Sequence, residues 1–427
     1  MRCLVALDGL AESNLPDLLR LMPRFQARFK RLKTSVLEFS SSAPQSAWSE
    51  ILTGTKTFDN GCAGYAHPSS SLNKSVIFTE TDLLKPPFLV EADQGSAAVA
   101  INIPLLLPKP GNRIWLSDGS LPINKFVSPS SLRSHPAFAQ YEPRPYKSHA
   151  GASTVFQRDL LRRCVDVEAK RLACALSLFK SGDWSTFVYR ITLFDHLFHL
   201  IGLNFLQATD LSIYGALKSF LAELDEAIEI FSSDEAVKTA FVSAYSHVAC
   251  LGTLNLNMVL AQGNYLKLAD EESASRTHAD RVKVASALWE TTTHYLSTLE
   301  GRLLTSATIA ASPVAGAIYM NKSAVFVDGI VDKENYKKLR SDVALYLHNF
   351  LSAGYNRPFN IEIHPAEYND TLAPDIVVSV DGIEFHNLGH KAITPRTTHK
   401  ASGFALLPER FAVNNITATK LASWLLS

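Results

Sequence analysis

The sequence predicts a single α/β domain built on a mixed, mainly parallel β-sheet that is sandwiched by helices. Short apolar runs, typical of buried parallel strands, alternate along the chain with segments of helical period. The 427 residues are 47% hydrophobic and 19% charged, which is enough apolar material for a sizeable core. Several predicted strands also end in acidic or imidazole side chains, and ligands bind at the carboxyl ends of strands in such sheets.

The predicted strands are short and rich in apolar residues. The first ends at Asp8-Gly9, as expected for a buried strand that leads into a loop. The strand near the middle of the chain is rich in β-branched and aromatic side chains. The predicted strands are residues 3–7, 34–39, 97–103, 186–194, 237–244, 323–326, a short strand at Ile330, and 375–380 as the last clear strand.

Helical segments lie between these strands. Pro44 suits the first turn of one helix, and Thr53-Gly54 suits its end. The predicted helices are residues 14–21, 44–52, 157–180, 196–206, 211–231 and 333–351. We predict that residues 1–427 form one domain. Two further segments are predicted to be insertions in this domain that form a lid. Residues 104–153 are rich in Pro, Ser and Gly, and residues 268–300 are polar and helical.

Composition excludes several classes of protein. Lys plus Arg and Asp plus Glu both total 41, so the net charge is zero and no global field exists for holding nucleic acid or anionic lipid. The longest apolar runs are too short for a membrane span or a signal peptide. The five cysteines have no metal-site spacing, which indicates reduced thiols. We therefore expect a cytoplasmic protein that acts on a small-molecule substrate, without nucleic-acid or membrane partners. A homodimer is compatible with the sequence.

Acidic and imidazole side chains follow several strands. Asp8 ends the first predicted strand. Asp195 follows the predicted strand over residues 186–194, and His199 lies four residues after Asp195. On a helix, residues four apart share one face, as two ligands of one metal must. His247 follows a predicted strand, and His399 lies in a predicted loop before the apolar run Phe404 to Leu407. An aspartate at a strand end is more often a cap, and a lone histidine is more often a core or surface group, so spacing alone leaves a metal site open.

At these residues the sequence resembles the alkaline phosphatase superfamily, specifically its type I phosphodiesterase/nucleotide pyrophosphatase branch. The resemblance runs nearly from end to end, and the order and spacing of its pieces support it. The matching pieces are Val5-Ala6-Leu7-Asp8-Gly9 (the opening metal-ligand strand), residues 47–54 (the helix after the nucleophile), residues 99–119 (a strand and proline-rich loop), Asp195 to His199 (a D-xxx-H ligand pair), residues 255–266 (an NLN…GYL segment), residues 318–321, 329–331 and 374–378, and His399 to Gly403 (the closing H-xxx-G motif).

The resemblance implies two divalent metal ions at the carboxyl edge of the sheet. One ion takes Asp195, His199 and His399, all of which are present. The other takes Asp8 and His247, together with an aspartate and the nucleophile oxygen. The implied cofactor is zinc, with manganese or iron as alternatives, and one or two ions per chain.

The departures from the family pattern weaken the second site. The aspartate paired with His247 falls on Ser246, and the nucleophile position, nine residues before Thr53, falls on Pro44. The family's His-Gly after the helix is here Asn60-Gly61. One metal site is therefore complete, and the other lacks a carboxylate and its bridging oxygen.

Three outcomes follow for function, which we expect to be metal-dependent hydrolysis of a phosphoryl, phosphonyl or sulfuryl ester. In the first, Ser46 stands in as the nucleophile, with Ser42 as the other nearby hydroxyl. In the second, a hydroxide at the complete site attacks directly, or the single metal, iron included, serves different chemistry in a small-molecule pathway. In the third, the chain is a non-catalytic relative that kept the fold and one ion.

Two basic residues lie close to the predicted site. Arg190, on the strand before Asp195, either faces an anion or forms a structural salt bridge. Lys56, just after the helix that begins at Pro44, either meets a phosphate or remains a surface lysine. The sequence has no GxGxxG, Walker A or GxSxG motif, so nucleotide-cofactor and α/β-hydrolase chemistry lack support.

Overall fold

The structure is a computed structural model that describes residues 1–91, 97–108, 113–119, 126–143, 154–203, 211–268, 303–314, 316–385, 397–408 and 415–426. The strands in these parts of the chain are β1 (Arg2–Leu7), β2 (Leu32–Glu38), β3 (Ala66–Pro68), β4 (Ser75–Ile77), β5 (Ala98–Ile103), β6 (Arg113–Ser117), β7 (Val127–Ser128), β8 (Thr186–Ile191), β9 (Lys238–Ser243), β10 (Ser246–Ala249), β11 (Gly252–Leu254), β12 (Ala310–Val314), β13 (Ala317–Met320), β14 (Phe359–Ile363), β15 (Ile376–Val380), β16 (Ile383–Phe385), β17 (Thr397–Lys400), β18 (Ser402–Pro408) and β19 (Asn415–Ile416).

The α-helices in the same parts of the chain are α1 (Leu15–Leu21), α2 (Pro23–Phe29), α3 (Pro44–Thr53), α4 (Thr57–Asn60), α5 (Phe88–Glu91), α6 (Pro136–Ala139), α7 (Thr154–Ser181), α8 (Leu193–Ile201), α9 (Leu211–Ser233), α10 (Leu256–Gln262), α11 (Lys333–Gly354) and α12 (Ala418–Leu426). None of the helices described is both long enough and apolar enough to cross a membrane. All five cysteines are free thiols, as expected, and four of them are buried.

A large central sheet organises the fold, with strand order β19-β2-β18-β9-β1-β8-β5-β6-β7. Strands β9, β1, β8, β5 and β6 run parallel, while β18 is antiparallel to both of its neighbours and β7 is antiparallel to β6. The predicted fold class, a mixed and mainly parallel sheet between helices, is therefore confirmed.

Alternation along β1 explains why helices cover both faces of this sheet. Cys3, Val5 and Leu7 pack into a core with α1, α2, α7, α8 and α9. Leu4 and Ala6 point the other way, into a core formed with α3, α5 and α12. Successive side chains of a strand point to opposite faces, so a continuous apolar run must be buried on both sides.

A smaller sheet, with strand order β12-β13-β15-β14, forms a second layer of the molecule. Helices α10 and α11 pack against it and share its apolar core. The predicted strand over residues 375–380 belongs to this small sheet, as β15. Between the two sheets run the short pairs β10-β17 and β11-β16, which connect the large sheet to the small one along the chain.

Most predicted elements are present with shifted ends, but the short strands predicted at residues 323–326 and at Ile330 are not formed, and residues 375–380 are not the last strand. Residues 323–326 form turns rather than a strand, held by backbone hydrogen bonds to Lys322 and Val331. Conversely, β18 is an interior strand of the large sheet, whereas the sequence pattern predicts residues 375–380 as the last clear strand. Its sequence carries Gly403 and ends at Pro408, residue types that are depleted in strands, and pairing on both sides outweighs that preference.

The two predicted insertions are described only in part. Within residues 104–153, the described parts add β6 and β7 to the edge of the large sheet and contribute α6. Of residues 268–300, only Leu268 lies within the described part of the chain.

Candidate metal centre

Three distant parts of the chain bring four metal-ligating side chains to the carboxyl edge of the large sheet. Helix α8 follows β8 closely and carries Asp195 in its first turn and His199 one turn later. His247 lies on β10, and His399 lies directly opposite it on the antiparallel strand β17. Two of the ligands are therefore set by helical spacing and two by strand register.

The four ligand atoms converge at distances that suit a bound cation. Asp195 Oδ1 lies 2.9 Å from His247 Nε2, 3.0 Å from His399 Nε2 and 3.7 Å from His199 Nε2. His199 Nε2 and His399 Nε2 are 3.2 Å apart, and all four atoms lie within 4.8 Å of one another. A tetrahedral zinc ion with bonds near 2.0–2.1 Å would space its ligands by about 3.3 Å. Three imidazole nitrogens and one carboxylate oxygen therefore fit a first-row divalent ion such as zinc.

Burial and mutual contact prepare these side chains for metal binding. Burial lowers the pKa of His199 well below its ordinary value and lowers the pKa of His247 to about 4. Both imidazoles are therefore neutral near pH 7, which is the form that binds a metal. Burial alone would raise the pKa of Asp195, but the three histidines hold it well below its usual range. Burial opposes the charged form of His399, but contact with Asp195 raises the pKa of His399 above its ordinary value, so a proton competes with a metal ion for this side chain.

Asp8, the predicted ligand of a second ion, lies outside this cluster of four. Its Oδ2 accepts hydrogen bonds from Trp48 Nε1 at 2.7 Å and Arg190 Nε at 2.5 Å, and its Oδ1 accepts one from the backbone N–H of Ala244 at 3.1 Å. Of the two roles considered for Arg190, the structure shows the salt bridge. A second ion at Asp8 would have to displace this guanidinium.

Arg190 also connects Asp8 to the cluster. Its Nη2 donates to the Tyr245 hydroxyl at 3.1 Å, and the Tyr245 ring contacts the His399 ring edge-on at a centroid distance of 4.9 Å. Burial opposes the charge of Arg190, but Tyr245 and Asp8 raise its pKa above the ordinary value. A permanent positive charge therefore sits beside the metal-ligand cluster. His247, the other residue predicted to bind the second ion, contacts Asp195 of the four-residue cluster instead.

The predicted nucleophile Ser46 is buried in α3, where its Oγ lies 2.6 Å from Thr57 Oγ1. Pro44 is the first residue of that helix. Ser42, the other hydroxyl considered, lines a cavity together with His399. The catalytic role of Ser46 remains a prediction, and Ser42 is the one of these two hydroxyls that shares a cavity with a cluster side chain.

Two cavities flank the β10-β17 pair. One of about 300 Å³ is lined by His399, Ser40, Ser42 and Lys56 together with residues of the small sheet. The other, of about 620 Å³, is lined by His247, Ser246 and residues of the segment after β1. Each cavity is therefore lined by one residue of the cluster, His399 in the smaller and His247 in the larger.

No protein-family model matches the chain, and no curated protein matches it significantly. Three solved structures resemble it over its whole length. They are phosphonoacetate hydrolase from Sinorhizobium meliloti 1021 in complex with phosphonoformate (13% identity, 100% of this chain and 95% of that chain, TM-score 0.55), murine ectonucleotide pyrophosphatase/phosphodiesterase 5 (14%, 100% and 94%, 0.52) and the alkaline phosphatase PafA (13%, 100% and 95%, 0.54). The fold is alkaline-phosphatase-like.

In this alkaline-phosphatase-like fold, Thr397 supports the cluster, and sequence reasoning missed it. Its Oγ1 lies 3.0 Å from His247 Nδ1. With a metal ion on Nε2 of His247, Nδ1 would carry the proton and donate a hydrogen bond to Thr397 Oγ1, which would orient the ring. The signal was available, since Thr397 lies two residues before His399 and so shares its face of the strand.

Replacing Thr397 by the isosteric valine is expected to weaken metal binding by about 10–100-fold, because the His247 ring loses the acceptor that orients it. Competition with a chromophoric chelator at several zinc concentrations measures this affinity. Thr398→Val, one residue on and therefore on the opposite face of β17, is the matched control. An unchanged zinc affinity in Thr397→Val would show that the contact does not orient His247.

Gly9 allows the ligand helix of the alkaline-phosphatase-like fold to approach the end of β1. Its φ is +95°, and a Cβ at this position would lie 2.8 Å from both the N and the Cα of Asp195. These are backbone atoms, so the strain cannot be relieved by a side-chain rotation. The close packing places Asp195 directly over the carboxyl end of the central strand.

Gly9→Ala is therefore expected to destabilise the protein by more than about 2 kcal/mol and to lower zinc affinity, because α8 must move. Urea unfolding and zinc titration measure the two effects. Gly182→Ala is the control, since Gly182 also has positive φ (+74°) but has no atom within 4 Å of an added Cβ. Equal losses of stability in the two variants would show that backbone conformation alone, and not the approach to Asp195, requires glycine.

Proposed function

We propose that the chain is a metal-dependent hydrolase of a phosphoryl, phosphonyl or sulfuryl ester of a small molecule. The observation that carries this proposal is the convergence of Asp195, His199, His247 and His399, whose ligand atoms all lie within 4.8 Å of one another. The cluster lies at the carboxyl edge of the sheet, where α/β folds bind ligands. The similar solved structures include a phosphonoacetate hydrolase and an alkaline phosphatase, which agrees with this class of chemistry.

The proposed metal is a single zinc ion held by these four residues. A bound zinc ion polarises a phosphoryl oxygen and lowers the pKa of bound water. Arg190 adds a fixed positive charge next to the cluster, and its contact with Asp8 keeps it in place. Ser42 and Lys56 line the cavity beside His399, and in this proposal they contact the ester group.

The test is hydrolysis by zinc-loaded protein of a phosphomonoester, a phosphodiester, a sulfate ester and phosphonoacetate. Activity on at least one of these is expected, with a loss of more than about 100-fold in His399→Ala. His348→Ala is the matched control, because His348 is exposed on α11. Activity that is the same in His399→Ala and His348→Ala would refute catalysis at this centre.

A second candidate is a non-catalytic metal protein of the same fold. It is favoured by the fourth ligand, since four protein ligands are typical of structural zinc sites while catalytic sites keep an open position. Stoichiometric zinc without turnover of any of the four substrates would support this candidate and refute the hydrolase.

A further inference from the structure

Asn102, near the carboxyl end of β5, has a backbone conformation that residues other than glycine rarely adopt. Its φ is +61°, in the left-handed region, and it lies in a bulge where the register of β5 against β6 shifts between Ile101 and Ile103. Asparagine tolerates this region better than most residues, but the conformation still costs free energy. Such conformations persist where surrounding contacts hold them, and they cluster at functional sites.

The side-chain amide of Asn102 holds the turn that connects β8 to the ligand helix α8. Its Nδ2 donates to the backbone carbonyl of Arg190 at 2.8 Å and to Thr192 Oγ1 at 3.4 Å. The pairing of β5 with β8 ends one residue earlier, at Ile101 opposite Tyr189, so the amide continues the contact between the two strands. Asn102 is 1% exposed, which shields these hydrogen bonds from solvent.

Two other elements hold the next residues of the same turn. The Ile191 carbonyl accepts the Asp8 backbone N–H at 3.1 Å, and the Thr192 backbone N–H donates to Glu168 of α7 at 3.2 Å. The Thr192 carbonyl then accepts the His196 N–H at 3.2 Å, at the start of α8. Three consecutive residues are therefore tied to three different elements, and their positions determine where α8 begins.

We propose that Asn102 is a positioning residue for the metal-ligand cluster. It fixes the start of the helix that carries Asp195 in its first turn and His199 one turn later. It also fixes the backbone of Arg190, the buried cation beside the cluster. The inference rests on the metal centre of the proposed function and not on the reaction. Contacts that orient metal ligands commonly change metal affinity when they are removed.

The test is the zinc affinity of Asn102→Gly, measured by competition with a chromophoric chelator. Glycine adopts positive φ freely, so this substitution removes the amide without adding backbone strain. Zinc affinity is expected to fall by about tenfold. Asn264→Gly is the matched control, because Asn264 has a φ of +62°, is exposed and bonds Lys267. Should Asn102→Gly not fold, Asn102→Asp replaces it, since aspartate keeps the volume and lacks the N–H donors.

Asn102→Ala separates the amide from the backbone conformation. Alanine also lacks the amide, but it is strained at positive φ, so urea unfolding should show a larger loss of stability than in Asn102→Gly. Similar losses of zinc affinity in the two variants would support positioning by the amide. A loss in Asn102→Ala alone, or unchanged affinity in both variants, would overturn the inference.

These outcomes are distinguishable from failure of the proposed function, because zinc binding requires no turnover. Zinc-loaded protein that hydrolyses none of the esters would refute the hydrolase and leave the zinc titrations to decide the role of Asn102. If wild type binds no zinc, the metal centre fails, and NMR spectra of metal-free protein with isotope-labelled histidine rings decide instead. Ring resonances of His199 and His399 that shift in Asn102→Gly, but not in Asn264→Gly, would support the inference. Unchanged resonances would overturn it.

Discussion

Replacing Arg190 by methionine is expected to destabilise the protein by about 3–5 kcal/mol, because it leaves the Asp8 carboxylate buried without a cation. Asp8 is fully buried, and Arg190 is the cation that contacts it in the described structure. Trp48 and the Ala244 N–H still donate to the carboxylate, but neither carries a charge. Urea unfolding of the metal-free protein at pH 7.5 measures the loss.

Two comparisons separate the buried charge from general damage. Asp8→Asn combined with Arg190→Met is expected to recover much of the lost stability, since the pair is then absent rather than broken. Arg163→Met is the control, because Arg163 forms exposed ion pairs with Glu142 and Asp166 that contribute at most about 1 kcal/mol. A double variant less stable than Arg190→Met would contradict this explanation.

The deficit of Arg190→Met should also depend on pH. Burial raises the pKa of Asp8, and the charge of Arg190 opposes that rise. Without Arg190, the folded-state pKa lies further above the unfolded value, so the folded protein binds the proton more tightly than the unfolded chain does. The stability deficit of Arg190→Met relative to wild type is therefore expected to be smallest at low pH. It should grow as pH rises through the folded-state pKa of Asp8 in the variant. A deficit that grows on acidification would contradict this sign.

Asp195→Asn is expected to lower zinc affinity by more than about 100-fold, beyond the effect of losing an orienting contact, because it removes the anionic ligand. Three histidine nitrogens all lie within 3.7 Å of Asp195 Oδ1. Elemental analysis of wild type should give one zinc ion per chain, and the variant should retain little after dialysis. The neutral amide keeps the size of the side chain, so the loss reports charge rather than packing.

Thermal unfolding provides an independent measurement of the same loss. A ligand that binds only the folded state at about 100 times its dissociation constant adds about 2.7 kcal/mol of stability. Zinc should therefore raise the Tm of wild type and leave that of Asp195→Asn nearly unchanged. Two ions per chain in wild type would show that a cation enters beside Asp8 despite Arg190. Retention of one ion in the variant would show that Asp195 is not a ligand.

Pro44 and Ser246 depart from the family pattern at the second metal site that the resemblance implies, and Arg190 lies at that same site. The resemblance places a second cation against Asp8, and the structure places a guanidinium there. Sequence reasoning considered both an anion-facing role and a salt bridge for Arg190, because a strand position does not specify its partner. Asp8 is 182 residues away along the chain, and the two meet only because β1 and β8 pair in parallel, with Ala6 opposite Arg190.

The sequence by itself determined the α/β class, the helical spacing of Asp195 and His199, and most helices and strands. Local periodicity is enough for these features, because they depend on residues that are neighbours along the chain. The tertiary structure alone decided that β18 enters the large sheet and that His247 faces His399 across β10 and β17. It also decided which serine lines a cavity. These outcomes depend on pairing between segments far apart in sequence, and the energy of such pairing comes from burial and register rather than from local preference.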